Sequence, residues 1–166
     1  MFNAVRLLRG SSFRQIVNQG IRKYAAEASS NTEGLIVNFS VPHQAIMKGV
    51  VATQINASAY SGDMGILPNH VPSIEQLKPG VLEIIKSDST EKWFLSGGFM
   101  IINPDSVLNI NAVEAYKLTD INAEAVNSEL AESRRLVSSA KNETEKAALE
   151  IEIEMYEALQ AALKSN

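Results

Sequence analysis

Leu35-Ile36-Val37-Asn38-Phe39-Ser40-Val41 is the stretch on which the fold turns. Leu35, Val37, Phe39 and Val41 occupy alternate positions, with Asn38 and Ser40 between them. Side chains of an extended chain point to opposite faces in turn, so this pattern predicts a half-buried strand. Beyond it, short apolar runs follow at Val50–Ile55, Gly65–Leu67, Val81–Lys86, Lys92–Leu95, Phe99–Ile102, Val107–Ile110 and Val113–Tyr116. Turn signals separate them at Ser61-Gly62-Asp63, Lys78-Pro79-Gly80, Ser87-Asp88-Ser89, Gly97-Gly98 and Asn103-Pro104-Asp105. Short strands at this spacing, without interleaved helices, predict an antiparallel β-sandwich or barrel rather than a parallel α/β sheet.

The pattern changes at Asp120, beyond which the chain has no Gly or Pro. Asp120 or Asn122 caps a first helix through about Ser139, with Val126, Leu130 and Val137 on one face. Asn142-Glu143-Thr144-Glu145 reads as the start of a second helix, whose stripe is Leu149, Ile153, Tyr156 and Leu163. Lys141–Glu145 and Lys146–Glu150 are spaced for weak ion pairs. A short connection makes the helices antiparallel neighbours. Ile151 and Met155 fall off the stripe, so they must meet the sandwich or another chain. The expected fold is mainly β plus α, a sandwich over residues 34–119 followed by a two-helix antiparallel hairpin over 120–166.

Charge divides the chain differently. Residues 1–26 hold Arg6, Arg9, Arg14, Arg22 and Lys23 and no acid. Of the 15 basic and 19 acidic residues in the whole chain, 10 basic and all 19 acidic therefore lie beyond, a net of −9. That body is a poor match for nucleic acid, which needs clustered cations. An arginine-rich, acid-free start fits a mitochondrial transit peptide over residues 1–24, with Arg22-Lys23-Tyr24-Ala25 resembling a matrix-protease site. Residues 25–33 are small and polar, a linker with little to bury. No run of apolar residues is long enough to span a bilayer as a helix.

Chemistry is scarce. The absence of cysteine excludes disulfides and Cys-ligated metals, and His43 and His70 lack metal-ligand spacing. Gly97-Gly98 lacks the remaining residues of a phosphate loop and reads as a tight hairpin turn. Ser61-Gly62-Asp63-Met64-Gly65-Ile66-Leu67-Pro68-Asn69-His70-Val71-Pro72 reads as a shaped, exposed turn. Within it, Asp63 is a turn carboxylate open to a partner, Met64 an isolated apolar residue, and His70 a turn or partner contact rather than a general base. Arg134-Arg135 could clamp a phosphate but reads more simply as a solvated helix face beside Glu132. No catalytic, cofactor-binding or metal-ligating set emerges.

The order of parts resembles one family. Ser61-Gly62-Asp63-Met64-Gly65-Ile66-Leu67-Pro68-Asn69-His70, Leu77-Lys78-Pro79-Gly80-Val81-Leu82-Glu83-Ile84 and Leu95-Ser96-Gly97-Gly98-Phe99, followed by a helical hairpin, are similar to the F1-sector ATP synthase subunits called delta in mitochondria and epsilon in bacteria and chloroplasts. The resemblance covers residues 34–163. It implies a ten-stranded β-sandwich with two antiparallel helices, placed in the central stalk. The implied partners are the gamma subunit, a very small mitochondrial subunit called epsilon, and the polar loops of the c-ring. It implies no catalysis and no cofactor: the subunit would carry proton-driven rotation of the ring to the αβ hexamer, peripheral to the inner membrane on its matrix side. Gly62, Asp63 and Met64 match the loop that touches the c-ring, and His70 matches a position facing gamma. Some bacterial members bind ATP through Ile/Leu-Asp-x-x-Arg-Ala in the first helix. The nearest match is Leu130-Ala131-Glu132-Ser133-Arg134-Arg135, where Ala131 replaces the aspartate and Arg135 the alanine. The alternative implied by the family, an ATP-sensing subunit that inhibits hydrolysis through its hairpin, therefore rests on Arg134 and Arg135 alone.

Overall fold

The computed structural model describes residues 34–164, all within one compact unit. The expected transit peptide, its cleavage site and the linker lie outside these residues. Nine strands precede two helices: β1 Leu35–Val41, β2 Gln44–Ala52, β3 Gln54–Ala59, β4 Gly62–Ile66, β5 Ser73–Ile85, β6 Thr90–Leu95, β7 Gly98–Ile102, β8 Val107–Ala112 and β9 Ala115–Lys117. A 3-10 turn, Leu118–Asp120, leads to α1 Ala123–Val137 and α2 Glu143–Lys164.

The long β5 joins two layers. Its first part, Ser73 to Leu77, pairs with β7, extending a layer in the order β2-β1-β8-β7. Its second part, Gly80 to Ile85, pairs with β6 on one side and β3 on the other, in a layer ordered β4-β3-β5-β6-β9. Between the layers lie Leu35, Val37, Phe39, Ile55, Ile66, Leu82, Ile84, Met100, Leu108 and Ile110, all essentially inaccessible. Phe39 of β1 meets Trp93 of β6 edge to face, with ring centroids 5.6 Å apart. The alternation in Leu35–Val41 survives as alternating burial along the whole of β1.

Four expectations need correcting. Val50–Ile55 is not one strand: Ala52 pairs with Leu35 in one layer and Gln54 with Ile85 in the other, so the chain changes layer at Thr53. Lys78-Pro79-Gly80 does not end a strand. Lys78 and Pro79 fall where β5 leaves β7 and before it joins β6, so the missing proline N–H breaks no pairing to either. Counting the halves of β5 separately turns the nine described strands into the ten that the family resemblance implies. Gly97-Gly98 is not a hairpin turn, because β6 and β7 belong to different layers and do not pair. It is a corner, and glycine is needed there: Gly98 has φ 150°, and a Cβ would lie 2.3 Å from the Asn111 carbonyl oxygen. Finally, β1 and β8 run parallel, from Ile36 opposite Val107 to Ser40 opposite Asn111, so the sandwich is antiparallel except at that pair.

Of the two possible caps for α1, Asn122 takes the role. Its Oδ1 accepts from the N–H groups of Glu124 at 2.8 Å and Ala125 at 3.2 Å, while Asp120 closes the preceding 3-10 turn. At the start of α2, Asn142 Oδ1 accepts from the Glu145 N–H at 2.8 Å. The Glu145 carboxylate accepts from the Lys141 backbone N–H at 2.8 Å, so that pair acts as a cap rather than through the lysine charge. Lys146 and Glu150 do pair, at 3.9 Å.

The hairpin packs on the second layer. Phe94, Leu118, Val126, Leu159 and Ala162 form a cluster, joined by half-buried Val81, Met155, Tyr156 and Leu163. Burial and the nearby Glu152 and Glu129 carboxylates push the Tyr156 phenol up from its ordinary value. Ser133 rather than Val137 completes the buried face of α1, and the stripe of α2 centres on Leu159 and Ala162. Met155 does meet the sandwich cluster, whereas Ile151 is 68% exposed.

Candidate functional site

The stretch from Ser61 to Pro72 is not one turn but two, separated by β4. Tyr60 and Ser61 link β3 to β4, where Ala59 pairs with Gly62. Gly62 takes φ 131°, which a side chain would strain. Ser61 Oγ donates to the Glu75 carboxylate at 2.7 Å, pinning the turn to β5. Alternation along β4 then sends Asp63 and Met64 to opposite sides. Asp63 projects outward with its side chain 80% exposed, 3.7 Å from the Lys78 ammonium. Met64 turns inward, half-buried against the sandwich core.

His70 lies beyond the other end of β4. By strand geometry the five residues of β4 hold it on the order of 15 Å from the Gly62 turn. Its loop is anchored by Ser106, a 2% exposed residue with φ 57°, whose Oγ accepts from the Asn69 N–H at 2.9 Å. The His70 N–H donates to the Leu67 carbonyl at 3.2 Å, and Nδ1 lies 2.8 Å from the Val71 carbonyl, holding the ring half-buried. Gly62, Asp63 and Met64 therefore come together, and His70 stands apart from them.

The two arginines are already engaged. Arg134 Nη2 donates to the Glu157 carboxylate at 2.7 Å, tying α1 to α2. Arg135 Nε and Nη2 both donate to Glu132, and that bond holds the Glu132 carboxyl below its usual range. Asn127 and Gln160 add a second bond across the helices, at 2.6 Å. No group of His, Cys, Asp or Glu suited to a metal ion occurs among the described residues.

A further surface emerges once the register is known. Ile74 faces Ile101, Ile101 faces Asn109, and Asn109 faces Asn38; one row on, Gln76, Phe99, Asn111 and Ser40 follow. This outer side of the first layer carries no charge across β5, β7, β8 and β1. Asn38 donates to Asn109 at 2.9 Å and Ser40 to Asn111 at 2.8 Å, while Ile74 and Phe99 remain exposed. The second layer is different. It presents Asp63, Glu83 and Lys92, with Asn56 donating to Glu83 at 2.8 Å and Lys92 3.6 Å from the same carboxylate. The uncharged face was missed from the sequence, because its signal spreads over four strands whose alignment local spacing cannot reveal. Among the described residues no helix is long and apolar enough to cross a membrane.

Residues 35–117 match the family model described as ATP synthase, Delta/Epsilon chain, beta-sandwich domain. The chain is 48% identical over 138 residues to the Neurospora crassa protein named ATP synthase subunit delta, mitochondrial, covering 82% of this chain and 84% of that one. It is 45% identical over 160 residues to the Kluyveromyces lactis protein of the same name, covering 96% and 99%. The fold is similar to a chain in the Euglena gracilis mitochondrial ATP synthase structure of OSCP, F1 and c-ring, with TM-score 0.73 and 32% identity over 78% of this chain and 81% of that one. A chain of the Tetrahymena thermophila central stalk and c-ring shares the fold alone, with TM-score 0.58 and 14% identity over 78% and 96%.

Proposed function

This chain belongs to the ATP synthase delta/epsilon family, and on that premise we propose that it works as a non-catalytic subunit of the F1 central stalk in mitochondrial ATP synthase. It would fix the shaft to the rotating c-ring, so that proton-driven rotation reaches the αβ hexamer as torque. Its fold shared with a relative from an assembled F1 and c-ring carries this reading. The geometry supports it in two places. Asp63 stands on a pinned turn as a foot for the polar loops of the ring, with Met64 seating that turn on the core. His70 sits at the far end of β4, where the loop meets Ser106 at the edge of the uncharged face. Such a face suits a protein surface rather than solvent, and we assign it to gamma. The small mitochondrial epsilon subunit is the third partner.

The place of work is the matrix side of the inner membrane, with the subunit held peripherally by its neighbours. Residues 1–24 would direct import, residues 25–33 link, 34–119 form the sandwich and 120–166 the hairpin. An ATP-sensing hairpin is the weaker alternative, since Glu157 and Glu132 occupy the guanidinium groups a phosphate would need. Micromolar ATP binding to the full chain, abolished by Arg134→Ala, would restore it.

Removing the chain from mitochondria tests the main assignment. F1 should still hydrolyse ATP, while hydrolysis no longer pumps protons. Unimpaired pumping, or loss of hydrolysis by F1 itself, would overturn it.

A further inference from the structure

The four methionines among the described residues differ in what can reach them. Met100 is fully buried, Met47 is 8% exposed, and Met155 is half-buried in the cluster between the sandwich and the helices. Met64 is half-buried on β4, the last strand of its layer, so its side chain meets the core at the rim. Its sulfur also meets a hydroxyl. Ser61 Oγ lies 3.9 Å from Met64 Sδ in a contact open to solvent, and the same Oγ donates to the Glu75 carboxylate at 2.7 Å. A hydroxyl has one proton to donate, and a thioether is too weak an acceptor to compete for it. The proton stays with Glu75, and the turn stays pinned. An oxygen on the sulfur would change that balance.

We propose that Met64 is an oxidative modification site that controls the Gly62 turn. Hydrogen peroxide transfers one oxygen atom to the sulfur lone pair. The O–O bond breaks, an S–O bond forms, the sulfur is oxidised by two electrons, and the peroxide is reduced to water. The sulfoxide oxygen is a polar acceptor set beside a single proton that Glu75 already holds. If it takes that proton, Glu75 releases Ser61. If it does not, a polar oxygen stands unsatisfied against the core, and the side chain leaves its seat. Either way the turn loses a side-chain anchor. The Tyr60 N–H still donates to the Gln76 carbonyl at 2.9 Å, so the loosening is confined to the tip. Reduction of the sulfoxide restores the thioether and with it the turn. On the reading above, this tip carries Asp63 toward the ring, so oxidation of Met64 weakens coupling.

The full chain, treated while folded with graded hydrogen peroxide, provides the test, with peptide mass spectrometry reading sulfoxide at each methionine. Met64 should oxidise first, ahead of Met155, while Met47 and Met100 stay unmodified. Amide exchange over residues 59–64 should quicken about fivefold, the scale of one lost hydrogen bond, and return after methionine sulfoxide reductase. Met64→Leu, compared with its own untreated sample, should show no peroxide response in that segment. Oxidation of Met64 no faster than of Met100, an unchanged segment once Met64 is oxidised, or a response that persists in Met64→Leu would overturn the proposal. In inverted inner-membrane vesicles, protons pumped per ATP should fall on oxidation and recover with the reductase, and should fall less where the subunit carries Met64→Leu. A segment that responds while this ratio does not would uphold the site and overturn its link to the ring, which separates the two readings.

Discussion

The sandwich and the hairpin hold themselves together in different ways. The sandwich closes a continuous interior: Phe39, Leu35, Ile55, Leu82, Met100 and Leu108 are almost wholly removed from water, and strand pairing runs unbroken from β2 through β5 to β9. The hairpin rests on a small cluster around Phe94, Leu118, Val126, Leu159 and Ala162, with most of α1 and α2 exposed. Each layer of the sandwich supplies the other's missing contacts. The helices fill only one flank of each other and borrow the rest from β5 and β6. The sandwich is accordingly the folding unit, and the hairpin is docked upon it.

The largest effect should come from the sandwich interior. Phe39→Ala removes the ring that meets Trp93 and leaves a cavity, at a cost of about 3–5 kcal/mol. Denaturant unfolding should shift as one cooperative transition, with sandwich and hairpin lost together. Leu159→Ala, in the smaller cluster, should cost about 2–3 kcal/mol where the site can partly relax. Here amide exchange should quicken in α1 and α2 and stay slow in β1, β7 and β8. Equal quickening in both regions would break the distinction.

Smaller changes sharpen it. Asn122→Ala removes the cap of α1 and should cost about 1 kcal/mol, read as faster exchange at Glu124 and Ala125. On the sandwich, a hydrogen bond from Lys86 holds the Glu91 carboxyl below its ordinary 4.5, opposed by partial burial and aided by the Trp93 indole and Lys117. A depressed carboxylate value stabilises the fold above the unfolded value and ceases to as pH falls through the folded one. Lys86→Met should thus cost under about 1 kcal/mol at neutral pH, since the pair is partly solvated, and cost progressively less as pH falls below the ordinary carboxylate value of 4.5. Thermal unfolding at both pH values checks the sign.

The same division governs how much could be read from the residues. The period of two in Leu35–Val41 announced its strand because the alternation is local, and the caps, Asp120 or Asn122 for the first helix and Asn142 for the second, announced the helices because caps are local too. Thr53, Pro79 and the Gly97-Gly98 corner were misread for one reason. At each, the chain passes between layers, and whether a break is a hairpin or a crossing depends on strands distant in sequence. Asp63 and His70 stand in one stretch of sequence, and only the structure shows β4 between the Gly62 turn and His70. The uncharged face draws on four strands, so it appears only after folding. Ile151 itself was legible as surplus, since the α2 stripe left it no place.

Asp63 is where the account meets its most direct trial. Asp63→Lys reverses the charge of an exposed side chain while leaving the sandwich core and its pinned turn intact. The measurement is protons pumped per ATP hydrolysed in inverted inner-membrane vesicles. The account predicts that this ratio falls by up to about fivefold, the equivalent of an exposed charge pair worth about 1 kcal/mol, while hydrolysis by the isolated F1 is unchanged. An unaltered ratio, or a loss of hydrolysis in step with pumping, would contradict it.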